Sequence, residues 1–510
     1  YSPDFSAQYF EANDALTFAG AYAPEPPDPG QSRKDLYEWM EGSLSLVNVL
    51  PGNTAVATGA AFASASPDTN GIAEDGHRIF WTAGAHLYVR EDNRTTREVH
   101  DPGTFLTASP DGLKVLLSDG CLYSLTTASC SEDLTQGKGG FLGIAGQSKD
   151  LSRIYFVDTA ALSDENERKE TAQPGKPNLY LYETGANTRF ITTLTSSDDT
   201  GGNDFLNDWA AAPGARTAEA SPDGRYLAFG STAQLTGYAN VGPCKVEGPT
   251  EDRFLIDVPC KEVFLYDSST GRLTCPSCNP SGEAPLGNST LRRIYGAKEE
   301  REWLPQPRYL TDRGRLFFDS SDRLSSRDTN GRVEDVYEAE PEGVGSCAQP
   351  AGCVSLISSG TGSVDSNFLA MDENGSNVFF TTRERLVSGD TDELLDVYDA
   401  RVGGGFPSEG EAAAGTGCRG EACQSPPNPP QVSSSATSSY QGMGNAQAEV
   451  LKPCPRGQIV QNGVCVKPKP KAQKKKAKPR KKKAKVPKKK TKKKQQQQVR
   501  SANHGNGGSK

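Results

Sequence analysis

The stretch that decides the fold is Ala218-Glu219-Ala220-Ser221-Pro222-Asp223-Gly224-Arg225-Tyr226-Leu227-Ala228-Phe229. After a long polar segment it resumes as Glu262-Val263-Phe264-Leu265-Tyr266-Asp267-Ser268-Ser269-Thr270-Gly271-Arg272-Leu273-Thr274. Glu219-Ala220-Ser221 reads as a short strand, and Pro222-Asp223-Gly224 as a turn: proline presets φ and glycine accepts the left-handed region. Arg225–Phe229 alternates with period two, the signature of a strand. Glu262–Tyr266 is a third strand, Ser268–Gly271 a turn, and Arg272–Thr274 the start of a fourth. The unit is a four-stranded antiparallel meander, the size of one propeller blade.

The same grammar recurs along the chain. Ser109-Pro110-Asp111-Gly112 precedes Lys114–Leu117, and Glu74-Asp75-Gly76 precedes Arg78–Trp81. Ser148-Lys149-Asp150 precedes Arg153–Phe156, Asp312-Arg313-Gly314 precedes Arg315–Phe318, and Asp372–Gly375 precedes Asn377–Phe380. Ser2-Pro3-Asp4 with Gln8–Phe10 opens the series. The third strand of each unit carries an aliphatic residue followed by an aromatic: Leu36-Tyr37, Leu87-Tyr88, Leu122-Tyr123, Leu179-Tyr180, Val263-Phe264, Val336-Tyr337 and Val397-Tyr398. One such sheet cannot bury both its faces. Neighbours must stack, and closing the stack into a ring protects the edges. The expectation is an all-β, seven-bladed propeller of four-stranded antiparallel blades. The seventh copy lacks a fourth strand after Ala400, and the N-terminal side of the chain is expected to supply it.

The Ser-Pro-Asp-Gly-Arg-x-Leu-Ala-Phe run, followed by Val-Phe-Leu-Tyr-Asp and Thr-Gly, resembles the WD-like repeat of the TolB-type β-propellers. The resemblance covers about residues 1–402, with two sharp copies and five degenerate ones. It implies the propeller fold and a scaffold or protein-binding role, and it implies no substrate.

Composition divides the chain further. All 64 Asp and Glu lie before residue 451, and 22 of the 56 Lys and Arg lie after it, so residues 1–450 carry a net charge of −30. Such asymmetry speaks of partners rather than of fold. The expected organisation is a propeller over 1–405, a Gly/Ser/Pro-rich linker over 406–450, a small Cys-clipped hairpin over 451–466 around Asn462-Gly463, and a disordered Lys-rich tail over 467–510. No apolar run is long enough for a helix to span a bilayer. The chain starts at Tyr1, so a missing export signal says nothing against export.

The 12 cysteines fall in close couples: Cys121/Cys130, Cys244/Cys260, Cys275/Cys278, Cys347/Cys353, Cys418/Cys423 and Cys454/Cys465. An even count grouped this way points to local disulfides in an oxidising compartment, free buried thiols being the alternative. Cys275-Pro276-Ser277-Cys278 has the spacing of a redox motif. It closes a strand without a βαβ context, however, so a turn-locking disulfide is the expected role. Zinc would need two more ligands at regular spacing.

Long loops between second and third strands carry the candidate binding surface: Ala19–Lys34, Asp158–Pro177, Ser231–Lys261, Asp319–Glu334 and Thr381–Leu395, all leaving one rim beside the links between units. Links Ser196–Thr217, with Trp209, and Asn279–Pro307, with Trp303, should add to it. Two loops carry spaced oxygens suited to Ca²⁺: Asp328, Asn330 and Asp335, and Asp390, Asp392 and Asp396. The competing reading is an Asx-turn in which Asp caps backbone amides. No other cofactor is indicated.

Catalysis is thinly supplied. The four histidines are His77, His86, His100 and His504, and no Gly-x-Ser-x-Gly elbow is present. The Ser-Pro-Asp-Gly turns are not the sialidase-type Asp box. The expected function is therefore a secreted or cell-envelope binding or scaffold module. It would meet a protein or glycan on its loop-rich face and be anchored to an anionic envelope polymer by its tail. Nucleic acid would compete only in the cytosol, and the tail has no interleaved aromatics for base stacking. The alternative is a propeller hydrolase acting on carbohydrate through loop carboxylates.

Overall fold

A computed structural model describes residues 7–13, 15–17, 34–40, 42–56, 59–64, 69–99, 104–195, 208–210, 216–247, 254–291, 307–387, 389–402, 459–461 and 464–466. The chain divides into two units, residues 1–446 and 447–510. The second unit contains one described element, an antiparallel hairpin of Ile459–Gln461 and Val464–Val466. Cys465 lies on its second strand, opposite Val460. The clip expected to close it is a different matter. Cys454, the partner assigned to Cys465, lies outside the described residues, and so do Cys418 and Cys423. The linker over 406–450, the tail over 467–510, His100, His504 and Trp303 lie outside them too.

The first unit is all-β, with no α-helix among its described residues. A series of antiparallel sheets follows chain order. The first holds Ala7–Ala12, Asp35–Met40 and Ser43–Leu46. The second holds Ala61–Phe62, Arg78–Ala83, His86–Glu91 and Thr95–Glu98. The third holds Phe105–Ala108, Lys114–Leu117, Cys121–Ser124 and Ser129–Asp133. Phe141–Gln147, Arg153–Asp158, Asn178–Glu183 and Arg189–Thr193 form the fourth. Glu219–Ala220, Tyr226–Ser231, Glu262–Asp267 and Arg272–Thr274 form the fifth. The sixth holds Ser289–Thr290, Leu316–Ser320, Asp335–Glu340 and Cys353–Leu356. The seventh holds Ser366–Met371, Asn377–Thr382 and Asp396–Arg401. Five sheets have four strands; the first and seventh have three among the described residues. No described strand pairs with the outer edge of Asp396–Arg401.

Each sheet packs on the next, and strand alternation explains how. In the fourth sheet Ile154 and Phe156 face Leu116 and Leu122 of the third. The intervening Tyr155 and Val157 face Leu227, Phe229 and Phe264 of the fifth. A strand covered on both faces must be apolar at every position, which is why Ile154–Val157 and Leu179–Tyr182 read as unbroken hydrophobic runs. Leu36 and Val47 meet Ile79 and Trp81 between sheets one and two, and Phe80 and Val89 meet Val115 and Leu117 between two and three. A continuous core then joins Tyr226 and Leu265 of the fifth sheet, Phe317 and Val336 of the sixth, and Phe368 and Phe380 of the seventh. Each such side chain contributes about 1.5–3 kcal/mol of burial.

The turns between first and second strands lock the sheets together along one rim. Ser221 Oγ donates to Asp223 Oδ1 at 2.6 Å and accepts from Tyr226 N at 3.0 Å. Ser109 with Asp111 and Ser148 with Asp150 repeat the device. Between sheets, Lys149 N donates to Pro222 O at 2.8 Å and Arg153 Nη1 to Asp223 O at 2.9 Å. Gly224 sits at φ +68°, where a Cβ would lie 2.7 Å from that of Ser148, so both conformation and space require glycine. The fourth sheet's turn has Leu151 at φ 56° in the equivalent place.

The segment between Ser231 and Glu262, polar by sequence, carries a hairpin that the sequence reading leaves as loop. Val241–Glu247 pairs with Phe254–Pro259. A second hairpin, Val49–Leu50 with Thr54–Ala55, turns at Pro51-Gly52-Asn53. Both are period-two segments too short, or too interrupted by Gly and Pro, to stand out.

Candidate functional site

The third strands organise the loops that precede them. Tyr180 donates its hydroxyl to Ala160 O at 2.6 Å and accepts from Leu162 N at 3.2 Å. Tyr337 donates to Asp328 Oδ2 at 2.5 Å, Tyr398 to Asp390 Oδ2 at 2.6 Å, and Tyr37 accepts from Leu16 N at 2.8 Å. In these four sheets the tyrosine that marks the strand thus holds its own loop, whereas the fifth sheet carries Phe264, which has no hydroxyl, at that place. The second and third sheets, whose second and third strands meet in tight turns, have no loop there to hold.

A second device recurs at the head of these strands. Val263 N donates to Ser277 Oγ at 2.8 Å, and that hydroxyl donates to Glu262 Oε2 at 2.6 Å. Val336 N, Ser358 Oγ and Asp335 Oδ1 repeat it at 3.0 and 2.5 Å. Leu36 N, Asn48 and Asp35 Oδ1 do so through an amide, at 2.8 and 2.7 Å. In each case an acidic residue opens the third strand and a polar residue beyond the fourth strand clips it.

On this rim, links between sheets meet the loops between second and third strands, most densely at sheets five and six. Leu286 N, on the link, donates to Asp322 Oδ1 in the sixth sheet's loop. Tyr238 donates to Glu283 O at 2.6 Å, and Arg332 Nη2 donates to Pro243 O of the inserted hairpin at 2.8 Å. Thr329 N donates to Gly360 O at 2.8 Å. Trp209, in the short 3-10 turn Asp208–Ala210, is buried on the fourth-to-fifth link. Four of the six expected disulfides are present among the described residues: Cys121–Cys130, Cys244–Cys260, Cys275–Cys278 and Cys347–Cys353. The other two couples, Cys418 with Cys423 and Cys454 with Cys465, each have at least one member outside the described residues, and Cys465 is placed only as a strand residue of the C-terminal hairpin.

Beneath this rim lie two carboxyls that sequence reasoning missed. Glu262 is 1% exposed and Asp322 is fully buried. Glu262 Oε1 and Asp322 Oδ2 have no hydrogen-bond partner. Burial, then the nearby Asp322 charge, pushes Glu262 up to about 8 against the Ser277 bond; burial likewise pushes Asp322 up to about 6. Burial and the same two carboxyls push the Tyr238 phenol up to about 12. The one sequence signal was an acidic residue opening a strand. It does not separate Glu262 from Asp396, because the clipping serine lies on another segment.

The residues read as calcium candidates have divergent settings. In the sixth sheet Asp328 takes Tyr337, and Asp335 takes Ser358 and, at 2.8 Å, Asn330 Nδ2. Asn330 N also approaches Asp328 Oδ1 at 3.3 Å, the Asx-turn contact. In the seventh sheet, carboxylate oxygens of Asp390, Asp392 and Asp396 lie within 4.8 Å of one another. His77 and His86 sit exposed on the second sheet, 2.7 Å from Asp92 and 2.6 Å from Glu98.

A cavity of about 440 Å³ runs along the fourth strand of the fifth sheet, against the sixth. Arg225, Asp267, Arg272 and Glu340 give it charged walls, and Cys275 and Cys278 border it.

No family model matches the chain, and no curated protein matches it by sequence. Solved structures do match. A putative TolB from Agrobacterium tumefaciens is 14% identical, with 56% of this chain and 77% of that one covered and a TM-score of 0.23. TolB from Acinetobacter baumannii is 12% identical over 64% of this chain and 66% of that one, with a TM-score of 0.24. An oligogalacturonate lyase from Vibrio parahaemolyticus is 11% identical over 78% and 83%, with a TM-score of 0.29. Two of these neighbours are TolB proteins, the group whose repeat the turn motifs resemble. At such TM-scores the likeness carries no argument, and function rests on the chain's own geometry.

Proposed function

We propose that this chain is a secreted or envelope-associated, non-catalytic binding module. It is a seven-bladed propeller whose loop-rich rim takes a protein or glycan and whose Lys-rich tail holds it to an anionic polymer. One observation carries the reading: on sheets five and six the loops, links and inserted hairpin are hydrogen-bonded to one another, so that a surface of long loops is preorganised. Preorganisation lowers the ordering cost that loops otherwise impose on binding. Disulfides support an oxidising setting, and the split between a −30 body and a basic tail supports electrostatic tethering. The test is retention on an anionic polysaccharide matrix at low salt. Deleting residues 467–510 should abolish retention, and raising salt should do the same to the full chain; unchanged retention of the truncated chain defeats the tether.

A propeller hydrolase acting on carbohydrate is the second reading, and the protonatable carboxyls of Glu262 and Asp322 favour it. Their burial places them away from any bulky glycan, which is why it stands second.

A further inference from the structure

Cys275-Pro276-Ser277-Cys278 closes the fifth sheet, and three observations about it converge. First, a Glu262 carboxylate oxygen and both sulfurs lie within 4.8 Å of one another. Among the described residues this is the one such grouping of a carboxyl with two cysteines. Second, the carboxyl is almost fully buried, and its Oε1 has no hydrogen-bond partner, while Oε2 is occupied by Ser277. Third, both cysteines are partly exposed, and they border the cavity that also carries Arg225 and Arg272. A disulfide with a solvent approach on one side and a buried acid on the other differs from a simple staple.

We propose that Cys275–Cys278 is a redox-active disulfide that exchanges with dithiols reaching it through this cavity, with Glu262 as the proton carrier. Thiol–disulfide exchange needs an attacking thiolate and a stabilised leaving thiolate. On the cavity wall the Arg225 guanidinium is paired with Asp267, which leaves Arg272 to favour the incoming thiolate. It attacks one sulfur, the Cys275–Cys278 bond breaks, and a mixed disulfide forms. The released thiolate takes the proton held at Glu262 Oε1. The co-reactant's second thiol then gives its proton to Glu262 and attacks the mixed disulfide, releasing the other cysteine, which is protonated from solvent. The dithiol ends as a disulfide and Cys275 and Cys278 as two thiols, with two electrons and two protons transferred.

The carboxyl is suited to this role because it holds its proton at neutral pH: burial and the nearby Asp322 push it up to about 8. The groups facing it are Ser277 from its own turn, Asp322 from the sixth sheet's loop and Tyr238 from the fifth sheet's loop; Arg332 in turn attracts Asp322. The inference is independent of the binding function proposed above and would stand if that failed.

The experiment treats the folded full-length chain with dithiothreitol, quenches with acid, alkylates the free thiols and locates them by peptide mass spectrometry. Cys275 and Cys278 should be trapped about tenfold faster than Cys121, Cys130, Cys244, Cys260, Cys347 and Cys353. Glu262→Gln should slow that reduction about tenfold at neutral pH and leave Cys121–Cys130, Cys244–Cys260 and Cys347–Cys353 unchanged. A second readout needs no variant. The wild-type rate, corrected for dithiothreitol ionisation, should fall as pH passes about 8, where Glu262 loses its proton. Reduction no faster than at Cys347–Cys353 overturns the proposal. So does an unchanged rate in folded Glu262→Gln, or a corrected rate that is flat with pH.

Discussion

The sixth and seventh sheets contain the same tripeptide at the same place, with different results. Asp335-Val336-Tyr337 and Asp396-Val397-Tyr398 both open a third strand, and both tyrosines hold a loop aspartate. Yet Val336 is fully buried and Val397 is 59% exposed. The sixth sheet has a fourth strand and a neighbour on each face, and its Ser358 clips Asp335 and Val336 N. The seventh has three described strands, and Leu394, Leu395 and Val402 are exposed beside Val397. A local motif therefore specifies strand and loop anchor, while burial is conferred by what the rest of the array brings to it.

The head of the third strand gives the largest expected effect. Glu262 occupies the place of Asp335 and Asp396, but its folded value is raised from 4.5 to about 8. The folded chain holds a proton that the unfolded chain releases. Its stabilisation is therefore full below about pH 4.5, erodes as pH rises and is gone above about 8. Glu262→Gln cannot titrate. The wild-type advantage over that variant should shrink by on the order of 3–5 kcal/mol across that window, read by urea unfolding at a series of pH values. A wild-type advantage that stays flat across that window would break the comparison.

The aliphatic position comes next. Val336→Ala removes methyl groups from a core shared by three sheets and should cost about 2–3 kcal/mol. Val397→Ala, already in contact with water, should cost less than about 0.5 kcal/mol. Comparable losses would mean that the seventh sheet is covered in solution.

These contrasts also mark how far the sequence could be read. Second and third strands of the repeat were legible where apolar residues alternated or ran unbroken, and even the two-residue Glu219–Ala220 was, but the inserted strand Phe254–Pro259 was read as loop. Turns were legible because Asp-Gly needs a left-handed residue, although Leu151 shows that the rule is not absolute. The tyrosine anchors were not, because their partners are mostly backbone groups with no identity to read. A faint signal existed in the lone leucines Leu162, Leu235 and Leu324, each buried within a polar loop. The carboxyl pair was not legible either: Glu262 and Asp322 lie on different sheets, and which acids end up buried depends on packing between them.

The clip itself gives the smallest difference and the finest test. Ser358 satisfies two groups at once, accepting from Val336 N and donating to Asp335 Oδ1. Ser358→Ala leaves a buried amide and a buried carboxylate oxygen each short of a partner, and should cost about 1–2 kcal/mol. Asp335→Asn alone keeps an acceptor for the hydroxyl and should cost less. The double variant should be less destabilising than the two losses summed, since the partners act as one unit. Strict additivity in a double-mutant cycle would show that the serine and the aspartate act separately. The burial of Val336 would then owe nothing to the clip and everything to the sheets stacked on either side.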